Sequence, residues 1–269
     1  MTADRESLAA NGRQSALPPL SLAYHGVTSV PSGRAARRLF IDASALRRHI
    51  GRLRRWGYEF VTFGELARRV ANGRGEGSVA LTFDDGLVDN LHTLAPLLHD
   101  EQATATVFVV ASWDGGAHPE AAWTRTLTRS EVVELSEAGL EIGSHSMEHR
   151  DLSLLPYAEA LADMREARNI LEDRLGRAVE VLAYPFGHAT AETRRACRDA
   201  GYAAACRISG TGSWDDPWNL PRQDMQHGAS VFGLWFKRRD LYEPVMRTTA
   251  ARAALRLNRS LRRVRRGQW

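Results

Sequence analysis

Residues 78–86 read SVALTFDDG, an apolar run that ends in two carboxylates and a glycine. The apolar and β-branched side chains of this run predict a buried strand. In α/β folds the active site forms at the carboxyl ends of the strands, so charge at this point is a candidate for chemistry. A break in the strand at Gly86 would let Asp84 and Asp85 face one site with separate tasks, one binding a metal ion and the other accepting protons.

A second polar motif follows about sixty residues later, where HSMEH occupies residues 145–149 after the strand-like run LEIGS. The spacing predicts that His145 and His149 lie on the same side of a turn or helix. Two neutral imidazoles and one carboxylate form a facial site for zinc or a similar divalent ion, with positions open for water and substrate. Each motif alone is ambiguous, because Asp-Asp-Gly is common in turns and separated histidines are common on surfaces. Their joint occurrence after two strand-like runs favours a catalytic metal site.

The wider pattern alternates strands and helices. A chain of 269 residues with 43% hydrophobic content can bury one large core. We therefore expect an N-terminal extension at 1–19, one catalytic domain at 20–240 and a C-terminal helix at 241–269. Seven β/α-like units predict an α/β fold, a distorted or incomplete (β/α)7 barrel. Strand-like runs lie near 20–24, 58–62, 78–83, 104–110, 140–144, 179–183 and 202–206, and helical patterns at 43–56, 64–71, 89–99, 129–138, 157–175 and 190–200.

These motifs resemble those of the polysaccharide deacetylases with a NodB-homology domain, also called carbohydrate esterase family 4. TFDDG at 82–86, the histidine pair and YPFG at 184–187 occur in the family's order and near its spacing. The resemblance extends from about residue 20 to about residue 222. It implies that the barrel is of the NodB-homology type.

The resemblance also implies roles for the polar residues. Asp84 would be the general base, and Asp85 would bind the metal ion together with His145 and His149. The implied cofactor is a divalent metal ion, zinc (Zn2+) in the first place, with Co2+, Ni2+ and Mn2+ as alternatives. Such an ion lowers the pKa of bound water towards neutrality, and a carboxylate within reach can take the proton during attack on an amide or ester carbonyl.

The third motif, YPFG, would by itself indicate only a turn at the end of a strand. Through the resemblance its four residues are expected to contact the substrate, with the backbone N–H of Phe186 stabilising the oxyanion. The four expected substrate-contacting residues are Tyr184, Pro185, Phe186 and Gly187.

The chain departs from the commonest family pattern just before this motif. Many relatives have an arginine there that holds the catalytic aspartate, whereas this chain has Ala183. The variant resembles the branch that processes poly-N-acetylglucosamine and other exopolysaccharides, as does the Tyr-His pair at 24–25. The aspartate-holding role is therefore unassigned. Arg222, which follows Leu-Pro, is a further candidate for substrate binding.

The general acid is the least determined part of the site. His25 is the favoured candidate because it ends the first strand, and strand ends of a barrel converge on the site. His227 is the alternative, and a surface histidine is the alternative for both. His188 is expected near the site without a chemical role. Histidines expected to have no catalytic role are His49, His92, His99 and His118.

Several tryptophans lie in connecting segments, where an exposed indole can stack on a sugar ring. Burial in the core is the alternative for each of them. Candidates for a sugar-binding wall are Trp113, Trp123, Trp214 and Trp218.

Residues 241–269 carry eight arginines against the single acid Glu243. Their apolar residues recur at helical spacing, which predicts a basic amphipathic helix. The helix would contact an anionic membrane surface or, alternatively, dock on the barrel with its arginines in water. Nucleic acid is not an expected partner, because no binding module accompanies the charge. The first residues lack an apolar secretory segment, so we expect a cytoplasmic location, peripheral to the inner membrane face if the helix binds lipid.

The expected function is that of a metal-dependent hydrolase that removes N-acetyl groups from N-acetylhexosamine units. Its substrate would be an N-acetylated oligo- or polysaccharide or a lipid-linked glycan precursor. Alternatives are a deacylase that acts on a formyl or O-acetyl group, and a non-catalytic glycan-binding relative.

Overall fold

The structure, a computed structural model, describes residues 17–30, 33–34, 36–208 and 213–225. His227 and the expected C-terminal helix at 241–269 lie outside these residues. None of the helices in the described ranges combines the length and hydropathy that a membrane span requires. The strands are β1 Leu20–Tyr24, β2 Glu59–Val61, β3 Ser78–Phe83, β4 Thr106–Val109, β5 Ala117–His118, β6 Ala121–Arg125, β7 Glu141–Ser144, β8 Val181–Ala183, β9 Ala204–Ile208 and β10 Leu220–Asp224. The helices are α1 Ala43–Arg55, α2 Phe63–Ala71, α3 Ala95–Asp100, α4 Arg129–Glu137, α5 Tyr157–Leu175 and α6 Ala191–Asp199.

Seven parallel strands close into a barrel in the order β1, β10, β9, β8, β7, β4 and β3. The ring closes because β1 also pairs with β3, in a register that runs from Leu20 opposite Val79 to Tyr24 opposite Phe83. The short strand β2 pairs with the first half of β3, whereas β4 pairs with its last two residues. Two strands therefore share one edge of β3, and this is the distortion of the barrel.

The predicted fold class is confirmed, but the seventh strand of the ring differs from the one expected. The run near 58–62 forms β2, which lies outside the ring, and β10 completes it. The sequence of β10 is LPRQD, and its proline and charges do not form the apolar run that predicts a buried strand. Nevertheless Arg222 and Gln223 are buried in it.

The N-terminus of α2 plugs the amino-terminal end of the barrel. Phe63, its first residue, donates its backbone N–H to Thr106 Oγ1 at 2.7 Å, and Gly64 N–H donates to Glu141 Oε2 at 3.0 Å. The ring of Phe63 meets that of Phe108 edge to face, with centroids 5.9 Å apart. Inside the barrel, apolar side chains of α2 pack against the inward-facing side chains of the strands. The outward-facing side chains of the strands pack against the remaining helices.

The loop after β1 is held by two side chains from the turn that follows β3. Asp89 Oδ2 accepts a hydrogen bond from the Val27 N–H at 3.1 Å, and Asn90 Nδ2 donates to the His25 carbonyl at 3.0 Å. Between them, Gly26 lies so close to the Phe40 ring that a Cβ atom would overlap it. The backbone that carries His25 is therefore fixed on both sides.

We expect the substitution Gly143→Ala to lower the free energy of unfolding by about 1–3 kcal/mol, as overpacking of a core does. A Cβ at this position of β7 would lie 2.5 Å from the Phe108 ring and 3.0 Å from Val181 Cγ2. Thermal and urea unfolding measure the change. The matched control is Gly51→Ala in α1, where a Cβ meets nothing within 4 Å, and where alanine should stabilise by about 0.5–1 kcal/mol. Unchanged stability of the Gly143 variant would show that Phe108 has room to move.

We expect Asp89→Asn to flatten the pH dependence of stability. Burial raises the pKa of Asp89 from 3.8 to about 7, although the Val27 N–H acts in the opposite direction. Because the folded-state pKa is the higher one, this carboxyl stabilises the fold fully below about pH 4 and loses that contribution as the pH rises to about 7. Urea titrations between pH 4 and 8 should show a steeper decline in the parent than in the variant. Equal slopes would contradict the raised pKa.

Candidate active site

The two aspartates leave the carboxyl end of β3 through a reversal of the backbone. The Asp84 N–H still donates to the Tyr24 carbonyl at 2.9 Å, so Asp84 keeps the strand register. Asp85 and Gly86 then both take positive φ angles, 74° and 59°. A Cβ at Gly86 would lie 2.8 Å from Val109 Cγ1, so the reversal needs a glycine there. The reversal explains how neighbouring carboxylates reach one site.

The two histidines follow β7, and a turn rather than a helix brings them together. Ser146 and His149 have positive φ angles of 71° and 59°, and the His149 N–H donates to Ser146 Oγ at 3.0 Å. His145 Nδ1 lies 2.8 Å from the Ala183 carbonyl, to which it donates, so its Nε2 presents a lone pair to the site.

Asp85, His145 and His149 form the one group that the described residues offer with metal-ligand geometry, with ligand atoms all within 4.8 Å of one another. Asp85 Oδ1 is 3.6 Å from His145 Nε2 and 3.5 Å from His149 Nε2. This buried oxygen has no hydrogen-bond partner among the described residues. Three donors that converge without bonding one another fit a divalent ion, which would satisfy the oxygen.

The protonation states suit a metal site. Burial, followed by the nearby His145, lowers the pKa of His149 to about 4, so the imidazole is neutral at pH 7. Burial alone would raise the pKa of Asp85, but the hydrogen bond from His118 acts in the opposite direction, and the pKa lies well below its usual range. The carboxylate is therefore ionised and available as a ligand.

Arg222, a candidate for substrate binding in the sequence, holds Asp84 in the structure. Its side chain is 0% exposed and donates two hydrogen bonds to Asp84, from Nη1 to Oδ1 at 2.6 Å and from Nη2 to Oδ2 at 2.9 Å. Nη1 also donates to Thr82 Oγ1 at 2.9 Å, and the guanidinium lies over the Phe108 ring at 5.2 Å. Strand β10 thus supplies the aspartate-holding arginine that is missing at Ala183.

The same arginine sets the charge of the aspartate. Burial on its own would raise the pKa of Asp84, but the charge of Arg222 and its hydrogen bonds hold it below its usual range. Asp84 is an ionised, oriented carboxylate beside the metal ligands.

The third motif presents one side chain at the surface. Phe186 is 52% exposed, has a φ angle of 60°, and lies with its ring centroid 4.9 Å from that of His149. Tyr184, another predicted substrate contact, is fully buried, and its hydroxyl donates to the Trp218 carbonyl at 3.0 Å. Pro185 and Gly187 are also buried and shape the turn, so their predicted substrate contact finds no exposed side chain.

The expected general acid His25 is partly exposed, and it lies close enough to Asp84 and Asp85 that a positive charge on its ring would lower the pKa of both. His188 is exposed and its Nδ1 lies 2.7 Å from Asp151 Oδ2. His118, which was expected to have no catalytic role, is buried against Asp85. It lies on an insertion, and no local pattern distinguishes it from a surface histidine.

The tryptophans are divided between the site and the core. Trp113 is partly buried, and its ring centroid is 5.5 Å from that of the metal-ligand candidate His149. Trp123 packs on Phe40 with centroids 4.7 Å apart. Trp214 and Trp218 pack against core clusters, so both side chains contribute to structure.

Comparison with known proteins agrees with this geometry. The family described as polysaccharide deacetylase matches residues 71–205, half of the 269-residue chain. A Bacillus subtilis protein, YxkH, whose name places it among polysaccharide deacetylases, is 26% identical over 183 residues, which are 67% of this chain and 61% of the relative. The chain thus spans about three fifths of that relative's length.

Solved structures share the fold. The deacetylase PplD of Streptococcus pyogenes gives a TM-score of 0.70 at 20% identity and covers 83% of this chain and 99% of its own. IcaB from Ammonifex degensii gives a TM-score of 0.68 at 20% identity, with coverage of 83% and 96%. With the family match over half its length, this chain is a member of the polysaccharide deacetylase family.

Proposed function

We propose that this chain is a metal-dependent hydrolase that removes N-acetyl groups from N-acetylhexosamine units of a glycan. The observation that supports this best is the pairing of an ionised, doubly anchored carboxylate, Asp84, with the three-ligand site of Asp85, His145 and His149. Both lie at the carboxyl end of a parallel barrel, and all four side chains converge there as amide hydrolysis requires.

In the proposed reaction, water adds to the acetamide carbonyl, the C–N bond breaks, and acetate and a free amine leave. A bound divalent ion would lower the pKa of water and polarise the carbonyl oxygen. Asp84 takes the proton of the attacking water, since its orientation is fixed by Arg222 and each oxygen keeps a second lone pair. His25 is the proposed donor of the proton to the leaving nitrogen.

Phe186 is the proposed substrate-contacting residue of the third motif. Its backbone N–H is the proposed donor to the oxyanion, and its exposed ring would pack against the sugar beside His149. The other predicted contacts of this motif are buried side chains and would act only by shaping this turn.

The substrate class proposed is an N-acetylated oligo- or polysaccharide, with zinc as the first metal to test. A lipid-linked precursor, membrane contact through 241–269 and a cytoplasmic location remain expectations from the sequence. A formyl or O-acetyl substrate would use the same base and metal, so the assay includes both. The non-catalytic alternative is disfavoured because all four residues are present and assembled.

We expect Asp84→Asn to reduce acetate release by about 10²–10⁴-fold, because an amide cannot accept the proton. Zinc-loaded protein is assayed on acetylated hexosamine oligomers, polymer and lipid-linked precursors, with formylated and O-acetylated analogues. The control is Asp100→Asn at an exposed position in α3. A chelator should abolish activity and added zinc restore it. Parent-like turnover by the Asp84 variant would contradict the assigned base.

We expect Arg222→Lys to shift the acid limb of the kcat/KM profile to higher pH. The pKa of Asp84 is held down by Arg222, and lysine keeps the charge but loses the two-pronged hydrogen bond. The carboxylate is then protonated at higher pH, and activity is lost there. Urea unfolding checks that the variant folds, and an unshifted limb would show that Arg222 does not set this pKa.

A further inference from the structure

The hairpin formed by β5 and β6 is not part of the barrel, yet it is fastened to the chain just after Asp85. The Leu127 N–H donates to the Gly86 carbonyl at 2.8 Å, and the Val88 N–H donates to the Arg125 carbonyl at 3.1 Å. These two hydrogen bonds flank Leu87. The hairpin is therefore tied directly to the segment that follows the aspartate reversal.

Packing secures the same attachment. Leu87 and Ala121 are fully buried in a small cluster with Val30 and Phe40, separate from the barrel core. Trp123 covers it from the second strand of the hairpin. The hairpin thus has its own apolar contact with the loop that carries the metal-ligand candidate.

His118, at the end of β5, lies beneath this attachment with 3% of its surface exposed. Its Nδ1 accepts a hydrogen bond from the Glu120 N–H at 3.2 Å, and its Nε2 is 3.0 Å from Asp85 Oδ2. Because a backbone N–H can only donate, Nδ1 carries no proton. The neutral ring therefore bears its proton on Nε2 and donates it to Asp85.

This hydrogen bond gives the two oxygens of the Asp85 carboxylate different roles. Oδ2 is occupied by His118, and Oδ1 faces His145 and His149 without a hydrogen-bond partner among the described residues. Trp113 supports the arrangement, since its ring meets that of His118 edge to face at 5.6 Å and also contacts His149. Rotation of the carboxylate would break the bond to His118.

We propose that His118 is a positioning residue that fixes the Asp85 carboxylate so that a single oxygen, Oδ1, coordinates the divalent ion. The hairpin of β5 and β6 then completes the metal site from outside the barrel. The role rests on the metal-dependent function proposed above, but it concerns binding of the metal and is tested without substrate. Residues that hydrogen-bond to a metal ligand act in this way, because they orient the ligand and so raise the affinity of the site for the metal ion.

The test compares zinc dissociation constants of the parent and two variants, measured by competition with a chromogenic chelator. His118→Phe keeps a ring against Trp113 and removes the donor, whereas His118→Gln keeps an N–H donor near the position of Nε2. We expect the phenylalanine variant to bind zinc about 10–100-fold more weakly, and the glutamine variant to recover most of the loss. The control is His92→Phe, because His92 is a largely exposed histidine on another segment.

Two further measurements keep the test decisive if the phenylalanine variant does not fold. The visible spectrum of the cobalt-loaded glutamine variant should match that of the parent, because single-oxygen coordination is retained. In the parent labelled with ¹⁵N-histidine, His118 should show the Nε2–H tautomer with and without zinc. A proton on Nδ1, parent-like zinc affinity in the phenylalanine variant, or equal losses in both variants would overturn the positioning role.

The outcomes also separate this role from the proposed function. Zinc binding that depends on His118, in a protein that releases no acetate from any substrate, would support the positioning role and overturn the deacetylase proposal. Acetate release by a phenylalanine variant with parent-like zinc affinity would do the reverse.

Discussion

A buried ion pair between Arg222 and Asp84 is the interaction on which the site depends. Both side chains are out of contact with solvent, so each charge would be costly to bury without the other. The pair joins β10 to β3 across β1, the same three strands whose pairing closes the barrel. The strand pairing that closes the barrel therefore also brings Arg222 to the position from which it orients the proposed base.

The ion pair rests on a column of side chains through the barrel. The guanidinium lies on Phe108, and Phe108 meets Phe63, the first residue of the helix that plugs the opposite end. The Phe108 ring can lie here only because residue 143 is a glycine, since a Cβ atom on Gly143 would overlap the ring. Packing at the base of the barrel thereby determines where Arg222 can lie, and hence the position of Asp84.

Backbone strain is concentrated at the upper end of this column. Of the six non-glycine residues with positive φ in the described ranges, four lie in the three motifs: Asp85, Ser146, His149 and Phe186. Such conformations cost of order 1–3 kcal/mol each and persist only where the surroundings enforce them. Here the surroundings include the hydrogen bond from His118, the Ala183 carbonyl that orients His145, and the ring contact between Phe186 and His149. Position 183 thus contributes a carbonyl to the candidate metal site, and the arginine that holds Asp84 comes from β10.

Local patterns are enough to predict the alternation of strands and helices, the barrel class, and the four residues that converge at its carboxyl end, because hydrophobic periodicity and motif spacing are properties of neighbouring residues. The folded chain alone reveals that β10 completes the ring, that Arg222 faces Asp84 from 138 residues away, that Tyr184 points into the core, and that His118 meets Asp85. Nothing in the local sequence LPRQD distinguishes a buried arginine from an exposed one. In the same way, nothing in the local sequence of the inserted hairpin distinguishes His118 from a surface histidine. Their environments depend on which strands become neighbours, and that is fixed by long-range packing rather than by adjacent residues.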